Sequence, residues 1–120
     1  MSVTAEEFFV GHPEGHAVYR AVAEAVGGLG ECEERVSTSQ IAFRHGRGFA
    51  YVWRPGQYVR SDVPAVLSIA LPEPLDSPRI KETVHPSARV WMHHIELRRP
   101  ADVDAEIVSW LSRAHAAANG

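Results

Sequence analysis

Residues 41–53 read IAFRHGRGFAYVW, and this stretch decides the fold class. The glycine-containing segment HGRG in its middle is typical of a hairpin turn. On both sides of it the residues alternate in character, with the period of two that β-strands show because successive side chains point to opposite faces. The stretch therefore predicts an antiparallel hairpin, in which Phe49, Tyr51 and Trp53 share one face of the second strand and Ala50 and Val52 share the other.

Further strands are predicted on both sides of this hairpin. Residues 32–37 alternate in the same way, and residues 79–84 and 88–97 are expected to pair around a turn at His85-Pro86-Ser87. Residues 65–71 are apolar on both faces, which is typical of a central strand or of one at an oligomer interface. The short connections predict antiparallel neighbours, since a parallel pair needs a crossover of a dozen or more residues.

Helical patterns stand at both ends of the chain. Thr4 and Glu7 have the spacing of a capping box, Pro13 suits the first position of a second helix, and Pro100 is expected to open the last helix. We expect a single α+β domain over residues 1–120. It should have two layers, an antiparallel sheet of five or six strands with the N-terminal and C-terminal helices packed mainly on one face.

Composition excludes several classes of protein. The acidic N-terminus differs from a secretory signal, and no stretch approaches the ~20 apolar residues of a membrane span, so we expect a cytoplasmic protein without a membrane partner. The single cysteine, Cys32, has no internal disulfide partner. Because Glu31 and Glu33 flank it, we expect an inert thiol rather than a nucleophile.

The charges are unevenly distributed along the chain. Residues 1–34 contain seven acids and one arginine, whereas residues 35–61 contain five arginines and no acid. This pattern favours either an anion-binding face or a sheet packed beside an acidic helix. Nucleic acid is the least favoured partner, since the sequence pI is near 6.

Histidines are the main candidates for chemistry. His85, His93 and His94 lie near Glu82 and Glu96, but the consecutive pair must point to opposite faces of a strand. His94 and Glu96 share one face, and we expect that His85 could reach them from the turn. None of the spacings matches a metal-ligand signature, so we expect neither a metal nor a cofactor. One alternative left open is a small enzyme that uses His94 or His85 as a general base.

The preferred hypothesis is a non-enzymatic binding or interaction module. A basic and aromatic sheet face would offer itself to an anionic small molecule, a partner protein or a second copy in a homodimer. In this hypothesis Lys81 lies beside Arg44 in a shallow basic groove. The opposing interpretation is that Tyr51 and Trp53 simply join the core. The candidate ligand-binding residues are Ser39, Arg44, Trp53, Lys81, His85 and His94.

Several motifs distributed over nearly the whole chain carry a family resemblance. They are FFVGH at 8–12, VSTSQIAFR at 36–44, FAYVWRP at 49–55, KETVHP at 81–86, WMHHIEL at 91–97 and ADVDAE at 101–106 with Trp110-Leu111 after it. With them the chain resembles an uncharacterised family of small bacterial domains, common in actinomycetes and also found fused to other small domains and to predicted transport or nuclease-like proteins. The resemblance implies an α+β module and brings no established activity, cofactor or catalytic residue.

Overall fold

The computed structural model describes residues 3–119. Its three helices are α1 (Ala5–Phe8), α2 (Pro13–Gly27) and α3 (Ala105–Ala118). Its six strands are β1 (Glu33–Val36), β2 (Ile41–His45), β3 (Arg47–Trp53), β4 (Ala65–Leu71), β5 (Glu82–Ser87) and β6 (Val90–Leu97). The Thr4 side chain accepts from the Glu7 backbone N–H while the Glu7 carboxylate accepts from the Thr4 N–H, which confirms the capping box.

All six strands form one antiparallel sheet in the order β1-β2-β3-β4-β6-β5. Helices α2 and α3 pack together with α1 against one face, and the buried side chains of that face form a continuous core. We call the opposite face the open face. This confirms the predicted two-layer α+β fold.

Alternation along the strands assigns residues to the two faces. Ile41, Val52, Leu67 and Ile95 are paired across four strands and are at most 1% exposed, so this row belongs to the core. The next row along the strands lies on the open face. It crosses the whole sheet as Arg35, Ala42, Tyr51, Ser68, His94 and Glu82.

A β-bulge in β3 changes the face of the sheet on which Phe49 lies. The register shifts between Phe43 and Arg44, so that Phe43 pairs with Ala50 whereas Arg44 pairs with Gly48. Phe49 is the extra residue, and its ring packs edge-on against His115 of α3. The prediction that Phe49 shares a face with Tyr51 and Trp53 was therefore wrong, because a bulge places one more residue on the core side.

The end of β5 and the start of α3 differ from the boundaries predicted from the sequence. Strand β5 continues through the predicted turn at His85-Pro86-Ser87, and the chain turns at residues 88–89 instead. Pro86 is tolerated because it lies at an irregularity in an edge strand, where no ladder donor is needed. Pro100 opens only a short 3-10 turn, and α3 begins at Ala105 with the Asp104 carboxylate accepting from the Ile107 N–H.

A buried histidine fixes the proline-rich loop that leads from β4 to β5. The Leu75 N–H donates to Nε2 of His93 at 3.0 Å, which leaves Nδ1–H to donate to the Ile69 carbonyl at 3.1 Å. His93 is fully buried, and its two partners together define its tautomer. It therefore acts as a structural link on the core side, whereas its neighbour His94 faces the open side.

Candidate binding site on the open face

The open face carries a cavity of about 490 Å³ in the middle of the sheet, which we call the aromatic cavity. Its floor combines side chains of the three central strands β3, β4 and β6. The lining residues are Ser39, Gln40, Tyr51, Trp53, Tyr58, Ser68, Met92 and His94. Apolar and aromatic surface with a few polar groups is the usual lining of a small-molecule site.

Two loops form walls above the sheet. In the loop between β1 and β2, the Ser37 hydroxyl accepts from the Gln40 N–H and donates to the Gln40 carbonyl, which holds a tight turn. Tyr58, from the segment after β3, donates its hydroxyl to the Ser39 carbonyl at 3.4 Å. Its ring centroid lies 6.1 Å from that of Trp53, so the two aromatic side chains form one corner of the cavity.

A chain of hydrogen bonds crosses the floor of the cavity. The Trp53 Nε1–H donates to Ser68 Oγ at 2.9 Å, and the same oxygen lies 2.6 Å from His94 Nδ1. The centroids of the Trp53 and His94 rings lie 6.0 Å apart and the ring planes are 88° apart, which is an edge-to-face arrangement. Ser68 is only 3% exposed, so its hydroxyl fixes the orientation of both rings from below.

The same chain determines which proton His94 presents to the cavity. Since an indole N–H can only donate, Ser68 Oγ accepts from Trp53, and its own proton finds an acceptor in His94 Nδ1. The neutral ring then carries its proton on Nε2. The chain therefore leaves His94 with an N–H donor on the side that does not contact Ser68.

Burial keeps this histidine neutral. It lowers the pKa of His94 below its ordinary value, while the nearby carboxylate of Glu82 opposes this effect. At neutral pH the cavity therefore presents an uncharged imidazole. None of its eight lining residues is a lysine, arginine, aspartate or glutamate.

Three of the six candidate residues come together. Ser39, Trp53 and His94 all line the aromatic cavity, although they belong to a loop and two different strands. Arg44 is also on the open face, but it lines a smaller neighbouring cavity of about 310 Å³ that shares Gln40 and Tyr51 with the first.

Lys81 and His85 do not join the other candidates. Lys81 directly precedes β5, and four strand spacings separate β5 from the β2 strand of Arg44, a distance of roughly 19 Å. The expected basic groove of Lys81 beside Arg44 therefore does not form. Arg79, two residues before Lys81, bonds to Asp104 and Glu106 at the start of α3.

His85 stacks on Trp91, with ring centroids 3.7 Å apart and planes within 6° of parallel. Trp91 is paired with Leu71 of the core-facing row, whereas His94 is paired with Ser68 of the open face. The expectation that His85 could reach His94 from the turn was therefore wrong, because the strand continues past the histidine and carries it to the other side.

Five lining residues were not among the six candidates: Gln40, Tyr51, Tyr58, Ser68 and Met92. Ser68 carried the strongest signal, since it is the one hydroxyl within the apolar run AVLSIAL. A buried hydroxyl requires a hydrogen-bond partner, and here it has two. Tyr58 gave no periodic signal because it lies in an irregular segment.

The histidine, cysteine and acidic side chains of residues 3–119 bear on other kinds of site. No group of three or more histidine, cysteine, aspartate or glutamate side chains in that range could hold a metal ion. Burial raises the pKa of the Cys32 thiol, and the charges of Glu34 and Glu33 add to this effect. Within the same residues, no helix combines the length and the apolar character needed to cross a membrane.

Comparison with known proteins places the chain in a family. Neither the curated proteins nor the solved structures yielded a match. A family model, described as Domain of unknown function (DUF5655), matches residues 5–118 and so includes every strand and helix and the whole aromatic cavity. The chain therefore belongs to this family of domains of unknown function.

Proposed function

We propose that the domain is a binding module for a small, planar aromatic molecule, seated in the aromatic cavity. The observation that carries the proposal is the Trp53–Ser68–His94 chain, which holds two rings nearly perpendicular in an apolar cavity on an otherwise solvent-facing sheet. Offset and edge-to-face contacts of this kind stabilise a bound ring by about 0.5–1.5 kcal/mol beyond the area it buries.

Polar groups at the margin would orient the ligand. Nε2–H of His94 donates, the Gln40 side-chain amide both donates and accepts, and the Ser39 hydroxyl lies on the same wall. A heteroaromatic ring with an acceptor directed at His94 fits this arrangement best. A ring without polar atoms would leave these groups without partners in the complex.

The lining favours an uncharged ligand over the anionic one expected from the sequence. Two arginines of the neighbouring smaller cavity, Arg35 and Arg44, lie on the far side of Tyr51, and the Glu82 carboxylate lies beside His94 on the other side. An anionic ligand would therefore place its ring in the aromatic cavity and extend its charged group past Tyr51. Replacing Arg44 with glutamine separates the cases, since only an extended anion loses affinity.

A thermal-shift screen of heteroaromatic compounds, followed by calorimetry of the hits, tests the proposal. A ligand that binds only the native state raises its melting temperature. Tyr58→Ala and Val59→Ala are a matched pair, because the two side chains are 60% and 62% exposed but only Tyr58 lines this cavity. We expect hits that bind about two- to tenfold more weakly to Tyr58→Ala, from one lost aromatic contact, and equally to Val59→Ala. Equal affinities for both variants would refute the proposed site.

A second candidate function is a small enzyme in which His94 acts as general base. The 2.6 Å contact between Ser68 Oγ and His94 Nδ1 favours it, because a serine activated by histidine is a common nucleophile. Against it, Ser68 Oγ already accepts from Trp53 and is almost completely buried. Labelling by a fluorophosphonate probe that is lost in Ser68→Ala and in His94→Gln would establish the enzyme instead of the binding module.

Three expectations from the sequence belong with this proposal as predictions. They are a cytoplasmic location in a bacterium, a homodimer or a protein partner, and the absence of nucleic-acid binding. The central strand β4 gives no support for the homodimer, because its open-face residues Val66 and Ser68 are already covered within the chain. Sedimentation of the purified protein gives its oligomeric state directly.

A further inference from the structure

A second cavity, of about 480 Å³, lies between the start of α2 and the segment that connects β3 to β4. It is separate from the aromatic cavity and has a different chemical character. Residues 11–15 form one side, and residues 54, 56 and 59–64 form the other. Two arginines, Arg54 and Arg60, contribute to this lining.

Neither arginine has a counter-ion within residues 3–119. The ion pairs described there engage Arg35, Arg79, Arg98 and Arg113. Arg54 is the more unusual of the two lining arginines, because its Nε is buried and has no hydrogen-bond partner. An unpaired buried donor on a cation is costly, and a counter-anion beside the rest of the guanidinium would offset part of that cost.

Neutral donors surround the same space. Ser61 Oγ accepts from the Val63 N–H, which leaves its own proton available as a donor. The N-cap residue of α2, His12, makes no side-chain capping bond, and the N–H groups of Glu14 and Gly15 have no partner inside the helix. These groups add directional donors to the charge of the two arginines.

Two acids also line this cavity. Asp62 is engaged by Arg98 at 3.4 Å, whereas the Glu14 carboxylate has no described ion pair. Glu14 therefore opposes the entry of an anion. Selective binding here must depend on the geometry of the donors, because the net charge of the lining is small.

We propose that this cavity is an oxyanion site that takes a phosphate or carboxylate group of a ligand, held by Arg54 and Arg60 and by the donors of Ser61 and the α2 start. Several oxygens on one anion match donors that converge from two segments, and arginine is suited to such groups because its donors form a planar fork. The inference is independent of the aromatic ligand proposed above.

Calorimetric titration with inorganic phosphate, with acetate and with chloride at constant ionic strength tests the proposal. We expect saturable binding of at least one oxyanion beyond that of chloride. Tighter binding of phosphate would identify a phosphoryl group as the ligand, and tighter binding of acetate a carboxylate. Binding of both oxyanions no stronger than that of chloride would overturn the proposal.

Variants then locate the site. Loss of one charge-assisted contact should weaken binding about tenfold in Arg54→Lys, which keeps the charge but not the planar guanidinium, and in the exposed Arg60→Gln. Arg20→Gln is the matched control, because it removes an exposed arginine from α2 outside the cavity. Glu14→Gln should bind more tightly than the native protein. Unchanged affinity in Arg60→Gln, which needs no buried rearrangement, or equal losses in Arg20→Gln would overturn the assignment.

Discussion

Replacing Ser68 with alanine removes a single oxygen from the floor of the aromatic cavity and leaves two partners unsatisfied. The Trp53 Nε1–H loses its acceptor, and His94 Nδ1 loses its donor. A buried polar group without a partner costs about 1–3 kcal/mol, and since both rings are only partly buried the lower figure applies to each. We therefore expect a loss of about 2 kcal/mol in the free energy of unfolding, which corresponds to a melting temperature lower by roughly 8 °C for a domain of this size.

Urea unfolding followed by tryptophan fluorescence and by circular dichroism measures this change. The midpoint should fall while the dependence of the free energy on urea stays the same, since the alanine leaves the exposed area of the unfolded chain unchanged. Ser87→Ala is the control, because Ser87 is exposed and surface substitutions usually stay within about 0.5 kcal/mol. If Ser68→Ala were no more destabilising than Ser87→Ala, the hydrogen-bond chain would not stabilise the site.

Three further changes have definite outcomes. The depressed pKa of His94 means that below about pH 6.5 the unfolded chain binds a proton that the folded chain does not, so stability should fall from that pH down to the folded pKa. Glu82→Gln should extend this fall to lower pH, and His94→Gln should flatten it. Identical profiles of stability against pH for the native protein and both variants would show that His94 is not the group responsible. His93→Leu should destabilise by about 2 kcal/mol or more and increase amide exchange at Leu75, whereas unchanged exchange there would show that the loop is held by other contacts. Asp104→Ala should lower the melting temperature by removing the cap of α3, and no change would contradict the observed helix start.

The architecture followed from periodicity because the strands are short, alternating and joined by short connections. The alternation of residues 41–53 and the apolar run of β4 were sufficient to predict a central antiparallel sheet, and the helical patterns at both ends of the chain predicted the helices that cover it. The bulge was not predictable in this way, since one extra residue in β3 reverses the face of Phe49 without any change in composition.

The candidate site was only half predictable for a related reason. Strand order is set by the pairing of distant segments, and the placement of β6 between β4 and β5 brings His94 to Ser68 while it moves Lys81 away from Arg44. Residue type alone identified Trp53 and His94 as candidates. Their common partner could be recognised only once the register of β4 and β6 was known.

The most direct test of the account is a two-dimensional NMR titration of the labelled protein with the strongest heteroaromatic hit, because it reports every backbone amide and the Trp53 indole N–H together. The account predicts that the Trp53 indole signal and the amides of Tyr51, Ser68 and His94 shift with one common affinity. Shifts confined to the helix-covered side of the sheet, with the Trp53 indole signal unmoved at saturation, would contradict it.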